Sequence, residues 1–127
     1  MIDRIQPVSI PKSTAPFSQV VLDDWYVYFS GLVAADFPEG LVVLGDVGAE
    51  TTAVLNVISK TLKELGLEMY DIVKAEVHLA DLTDFDAMDE AYRQCFPPNT
   101  TPARTTTESK HLFGDSRVEI TVQARRR

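Results

Sequence analysis

The chain is 127 residues long and carries 12 Lys and Arg against 19 Asp and Glu, a formal charge of −7, with 45% hydrophobic residues. That length suits one domain, residues 1–127, with a sizeable core, and the acidic balance argues against an extended grip on a phosphate backbone. With one cysteine, Cys95, an internal disulfide is excluded, and with only two histidines beside it so is a structural zinc site.

Met1-Ile2-Asp3-Arg4-Ile5 lacks the apolar centre of a signal peptide, and no apolar run is long enough to span a bilayer. The chain therefore reads as soluble and cytoplasmic, with no membrane partner. Residues 17–22 are expected to form a strand. From Trp25 to Gly31 the sequence alternates: Trp25, Val27 and Phe29 point one way, Tyr26, Tyr28 and Ser30 the other, a second strand. Phe37-Pro38-Glu39-Gly40 carries turn chemistry, so residues 33–44 read as a loop.

Asp46 caps a helix in which Ala49, Ala53, Val54, Val57, Ile58, Leu62 and Leu65 share one face. Glu50, Lys60, Lys63 and Glu64 take its wet side, and Gly66 ends it. Ile72 to Ala80 is a strand with Val73, Ala75, Val77 and Leu79 on one side and Lys74, Glu76 and His78 on the other. Thr83 or Asp84 caps a second helix, with Phe85, Met88, Tyr92 and Cys95 or Phe96 inward, and Pro97-Pro98 stops it. Cys95 there reads as a packed thiol. Two strands follow, Arg104 to Ser109 and Arg117 to Arg125. The closing Arg125-Arg126-Arg127 reads as a solvated tail.

This order describes an α+β fold, a mixed sheet with two helices packed on one face. Its other face carries Tyr26, Tyr28, Ser30, Glu76, His78 and Glu119. With no third helix left to cover them, that face is expected to meet neighbouring subunits or a ligand. Arg104, on a strand entered through Pro102, and Glu119, on what reads as a neighbouring strand, have the makings of a small-anion site. A guanidinium grips a carboxylate bidentately and a glutamate moves protons. The plainer alternative is a surface salt bridge between adjacent strands.

Pro16-Phe17-Ser18-Gln19, Ser30-Gly31, Pro102-Ala103-Arg104 and Val118-Glu119-Ile120, in this order and spacing, resemble the Rid family, the YjgF-type reactive-intermediate deaminases. Asp71-Ile72-Val73-Lys74 and Asp81-Leu82-Thr83-Asp84-Phe85 extend the likeness over nearly the whole chain. No single motif is specific; their joint order is. The resemblance implies a chorismate-mutase-like fold assembled as a homotrimer, a trimeric barrel with sheets inward and a cleft at each subunit interface. It also implies hydrolysis of reactive imines and enamines such as 2-aminoacrylate to a 2-keto acid and ammonia, with no metal and no organic cofactor.

Carried over by position, Arg104 and Glu119 are the catalytic pair. Arg104 would hold the substrate carboxylate through charge-assisted hydrogen bonds worth roughly 1.5–3 kcal/mol each. The Ser30-Gly31 backbone would supplement that grip, Phe17 would wall the cleft, the Thr106 carbonyl would face the substrate nitrogen, and Glu119 would orient and deprotonate a water. Departures from the family pattern bear on substrate choice. Phe17 stands where a tyrosine is usual, Thr106 where a cysteine is frequent, and Asp89 where an asparagine is common.

Alternatives stay open beside each of these. Glu119 could be an interface carboxylate paired with Arg117 or Arg125, Ser30 could simply end a strand, and His78 reads as an interface hydrogen-bonding group more than as a base. The competing function is a non-catalytic binder of small carboxylate metabolites. A ribonuclease reading has been attached to some relatives, and the acidic charge weighs against it.

Overall fold

The computed structural model describes residues 1–127. Strands β1 (Asp3–Ile5), β2 (Val20–Leu22), β3 (Tyr26–Phe29) and β4 (Leu32–Val33) precede a one-turn helix α1 (Pro38–Leu41) and the long helix α2 (Val47–Glu64). Strand β5 (Ile72–Leu79), helix α3 (Phe85–Gln94), and strands β6 (Ala103–Glu108) and β7 (Val118–Arg125) complete the chain. The strands form one sheet in the order β1-β2-β3-β7-β5-β6, with β4 also on β7. Only β5 and β6 run parallel; α3 is the crossover between them. No helix is long and apolar enough to cross a membrane.

The period-two patterning decides which face is dry. Val27, Phe29, Ala75, Val77, Leu79, Val118, Ile120, Val122 and Ala124 are buried in one cluster with Val54, Ile58 and Leu62 of α2 and Met88 and Tyr92 of α3. Both helices thus cover the same face. On the other, Tyr28 lies opposite Gln123, Glu76 opposite Thr121 and His78 opposite Glu119, and no helix covers them.

Asp46 caps α2 by accepting from the Ala49 N–H at 3.1 Å. At the far end Gly66, at φ +75°, closes a Schellman turn in which Leu67 N–H donates to the Leu62 carbonyl and Gly66 N–H to that of Lys63. Each of these was legible in the residues.

Four local expectations fail, and one strand was not anticipated. Residues 33–44 are not all loop: Pro38 sits at the first turn of α1, where its missing N–H costs nothing. The N-terminal strand β1, three residues with little alternation, had no visible signature. A bulge between Ile72 and Lys74 throws Val73 out to solvent and turns Ile72 inward, so the buried row of β5 starts one residue early. Asp84 occupies the cap position of α3 but makes no capping bond, because its carboxylate receives Arg117 Nε at 3.0 Å. Glu50, placed on the wet side of α2, is 0% exposed. Its two oxygens accept the backbone N–H of Gly45 at 2.7 Å and of Arg117 at 2.8 Å, which satisfies a charge at that depth.

Candidate active site

Arg104 points to the helix face of the sheet, because its register partner on β5 is the buried Ala75. Its guanidinium lies 4.8 Å from the Tyr92 ring centre and 5.5 Å from that of Phe85, a cation–π seat supplied by α3. Nη1 contacts the Asp89 carboxylate at 2.7 Å, and the two side chains remain 21% and 27% exposed. They open onto a cavity of about 410 Å³ lined by Asp89, Tyr92, Arg93, Thr101, Pro102 and Arg104. Thr106 follows two residues later on the same face. Its Oγ1 and the Tyr92 hydroxyl are both buried without a hydrogen-bond partner. Burial pushes the Tyr92 phenol up to about 12, with Asp89 adding to the rise and Arg104 opposing it, so that hydroxyl is a neutral donor at physiological pH.

A second cluster forms at the junction of β3, β4 and β7. Ser30 N–H donates to the Gln19 carbonyl at 2.9 Å and its hydroxyl to the Ser18 carbonyl at 2.6 Å, tying down the loop that carries Phe17. Phe17 is 50% exposed and so is not part of the core. A Cβ placed on Gly31 would lie 2.9 Å from Glu119 Cδ and 3.1 Å from its Oε2. Glycine at this position is what lets the carboxylate sit against the backbone. Neither flanking arginine takes up Glu119: Arg117 is held by Asp84, and Arg125 stacks over Trp25 at 5.2 Å. Across the strand from Glu119, His78 Nδ1 and Thr107 Oγ1 share a hydrogen bond of 2.6 Å within the chain.

Residues 8–126 match the family described as endoribonuclease L-PSP. A human 2-iminobutanoate/2-iminopropanoate deaminase is 36% identical over 116 residues, 91% of this chain and 84% of that protein. The goat protein of the same name is 37% identical over the same shares. This chain belongs to the Rid family. Among solved structures, the YjgF gene product of E. coli is 29% identical with a TM-score of 0.87, over 98% of this chain and 99% of that one. A Rid-family protein of unknown function from Yersinia pestis is 25% identical with a TM-score of 0.89, over 99% and 100%.

In this Rid-family chain the arginine and the glutamate do not meet within one protomer. Their strands are not neighbours, since β5 runs between β6 and β7. Arg104 shares a face with Ala75, and Glu119 shares the opposite face with His78. The expected residues therefore divide into two groups: Arg104 and Thr106 on the helix side at the β6 edge, and Phe17, Ser30, Gly31 and Glu119 at the junction beyond β7. The arginine is also not a lone cation, because Asp89 is its partner. By periodicity alone Phe85 and Tyr92 read only as core. Phe85, Asp89 and Tyr92 at i, i+4 and i+7 form one helical stripe, and that spacing was the available sign that α3 offers an aromatic and acidic edge to β6.

Proposed function

We propose that this protein hydrolyses small reactive 2-imino and enamine acids of the 2-aminoacrylate type to a 2-keto acid and ammonia, at sites shared between the subunits of a homotrimer. The observation that carries this reading is the unpaired Glu119 carboxylate held against Gly31 on a face no helix covers. A second copy laid on that face can bring its own Arg104 edge to Glu119, which one chain alone cannot do. Homologues named as imine deaminases support the substrate class.

Arg104, with Nη1 on Asp89 and one face on aromatic rings, keeps the rest of its fork for a substrate carboxylate. Glu119 takes a proton from water as the water oxygen bonds to the imine carbon and the C=N π electrons move to nitrogen. The resulting carbinolamine then expels ammonia: the nitrogen gains a proton, the hydroxyl loses one, and C–N breaks as C=O forms. An iminium carbon is already electrophilic, so positioning plus one carboxylate suffices and neither metal nor organic cofactor is invoked. The Thr106 carbonyl and the Ser30-Gly31 backbone complete the substrate contacts.

Addition of the protein to a lyase generating 2-aminoacrylate should speed ammonia release, and Arg104→Ala and Glu119→Gln should each abolish the effect. Co-assembling the two inactive variants should restore part of the activity, because some sites regain both groups. A mixture as dead as its components would rule out the shared site. The second reading is a metabolite-binding protein, favoured by Phe17, which offers no hydroxyl, and by Ser30, whose hydroxyl is committed to Ser18. It predicts calorimetric binding of 2-ketobutyrate with no ammonia release.

A further inference from the structure

Asp89 does more to the cavity than hold an arginine. It stands 2.7 Å from Arg104 Nη1, its second oxygen is 3.5 Å from Arg93, and Arg93 is shared with the exposed Glu90. The mouth of the cavity thus presents a positive and a negative group side by side, both partly open to solvent, above the buried Tyr92. A lone guanidinium favours any small anion. An adjacent carboxylate changes the preference: it repels a second lone pair and attracts a polarised N–H.

We propose that Asp89 is a specificity-determining residue that contacts the ligand, selecting acids with a protonated nitrogen on the carbon next to the carboxylate over keto acids of the same skeleton. This rests on the reading of Arg104 as the carboxylate clamp. A 2-iminium acid places its carboxylate on Arg104 and turns an N–H to Asp89. The matching keto acid presents carbonyl lone pairs to a carboxylate instead. The same residue that draws the substrate in therefore weakens the hold on the product, and it favours the protonated imine, the form that accepts water at carbon.

Asp89→Asn keeps the size and removes the charge, and its amide can rotate to donate to a carbonyl. The test uses the full chain, with pyruvate and L-alanine as calorimetric probes of the two ligand classes and kcat/KM for the imine in the lyase-coupled assay. Asp89→Asn should tighten pyruvate about tenfold and lower kcat/KM by a similar factor, the scale of one charge-assisted hydrogen bond in a partly wet site. It should also cancel any preference for alanine. If Asp89 only props Arg104, then pyruvate and imine weaken together in Asp89→Asn and further in Asp89→Ala, which overturns the proposal. An unchanged pyruvate-to-imine ratio in an active enzyme also overturns it, leaving the deaminase reading intact. If wild type releases no ammonia yet prefers alanine to pyruvate in an Asp89-dependent way, the selectivity stands and the deaminase reading falls. Wild type that binds neither probe nor imine removes both.

Discussion

Gly31→Ala tests whether activity depends on the close seat of Glu119 against the Gly31 backbone. The new methyl carbon would lie 2.9 Å from Glu119 Cδ and 3.1 Å from both Glu119 Oε2 and Thr121 Oγ1. Carbon atoms in ordinary contact stand about 3.5–4.0 Å apart, so the carboxylate must retreat by roughly 0.6 Å or more. The backbone does not object, because Gly31 is not among the glycines at positive φ. Alanine there removes unfolded-state freedom worth about 0.4–1 kcal/mol. Swinging the end of a partly exposed glutamate off its rotamer costs about 0.5–1.5 kcal/mol, so stability should change little. Catalysis has no such tolerance: a misplacement near 1 Å costs on the order of 10²-fold. The expected result is a kcat/KM for imine hydrolysis lowered about 10²-fold, with a melting temperature within a few degrees of wild type. Full activity in a normally folded Gly31→Ala protein would refute the assignment of Glu119 as base. Loss of the proposed trimer with unchanged activity per assembled site would make Glu119 an interface residue.

Two further outcomes concern the scaffold. Glu50→Ala removes the buried acceptor of two backbone N–H groups, one of them on Arg117, two residues before Glu119. It should lower the unfolding free energy by about 3 kcal/mol in a urea titration, and an unmoved midpoint would show that the bonds contribute nothing net. Partial burial pushes the Glu64 carboxyl up, but hydrogen bonds from the Ser9 hydroxyl and from the N–H groups of Val8 and Ser9 outweigh it and hold the group below its ordinary 4.5. A carboxylate with a depressed folded-state value stabilises the fold above its unfolded value, and that contribution is lost as pH falls through the lowered one. Amide exchange at Val8 and Ser9 should therefore accelerate as pH drops below about 4.5, once intrinsic rates are divided out. Glu64→Gln should remove that dependence; the same acceleration in the variant would place its origin elsewhere.

Much of the architecture is written in local pattern. The alternation in β3 and β7, the cap at Asp46 and the left-handed Gly66 depend on neighbours a few residues away, and the structure has each where the residues put it. Helix α2 shows the limit of that reading. Glu50 looks like a solvent residue until the turn at Gly45 and Arg117, the residue just before β7, arrive over it with two N–H groups to be satisfied. Val73 is similar: an alternating row gives no notice of a bulge, which arises from the pairing of β5 with β7.

The same division runs through the candidate site. Chain order was enough to nominate Phe17, Ser30, Gly31, Arg104, Thr106 and Glu119 and to place this chain in its family, because each lies in a short motif with its own spacing. Which of them face one another depended on strand order and register, properties of hydrogen bonding between segments far apart in the chain. Insertion of β5 between β6 and β7 separated the two strands, register put the guanidinium on the helix face with Ala75 and the carboxylate on the open face with His78, and packing of α3 against β6 gave the arginine Asp89 as its neighbour. Side-chain identity is local, but the company a side chain keeps is set by the cheapest way to bury one apolar face of the whole sheet.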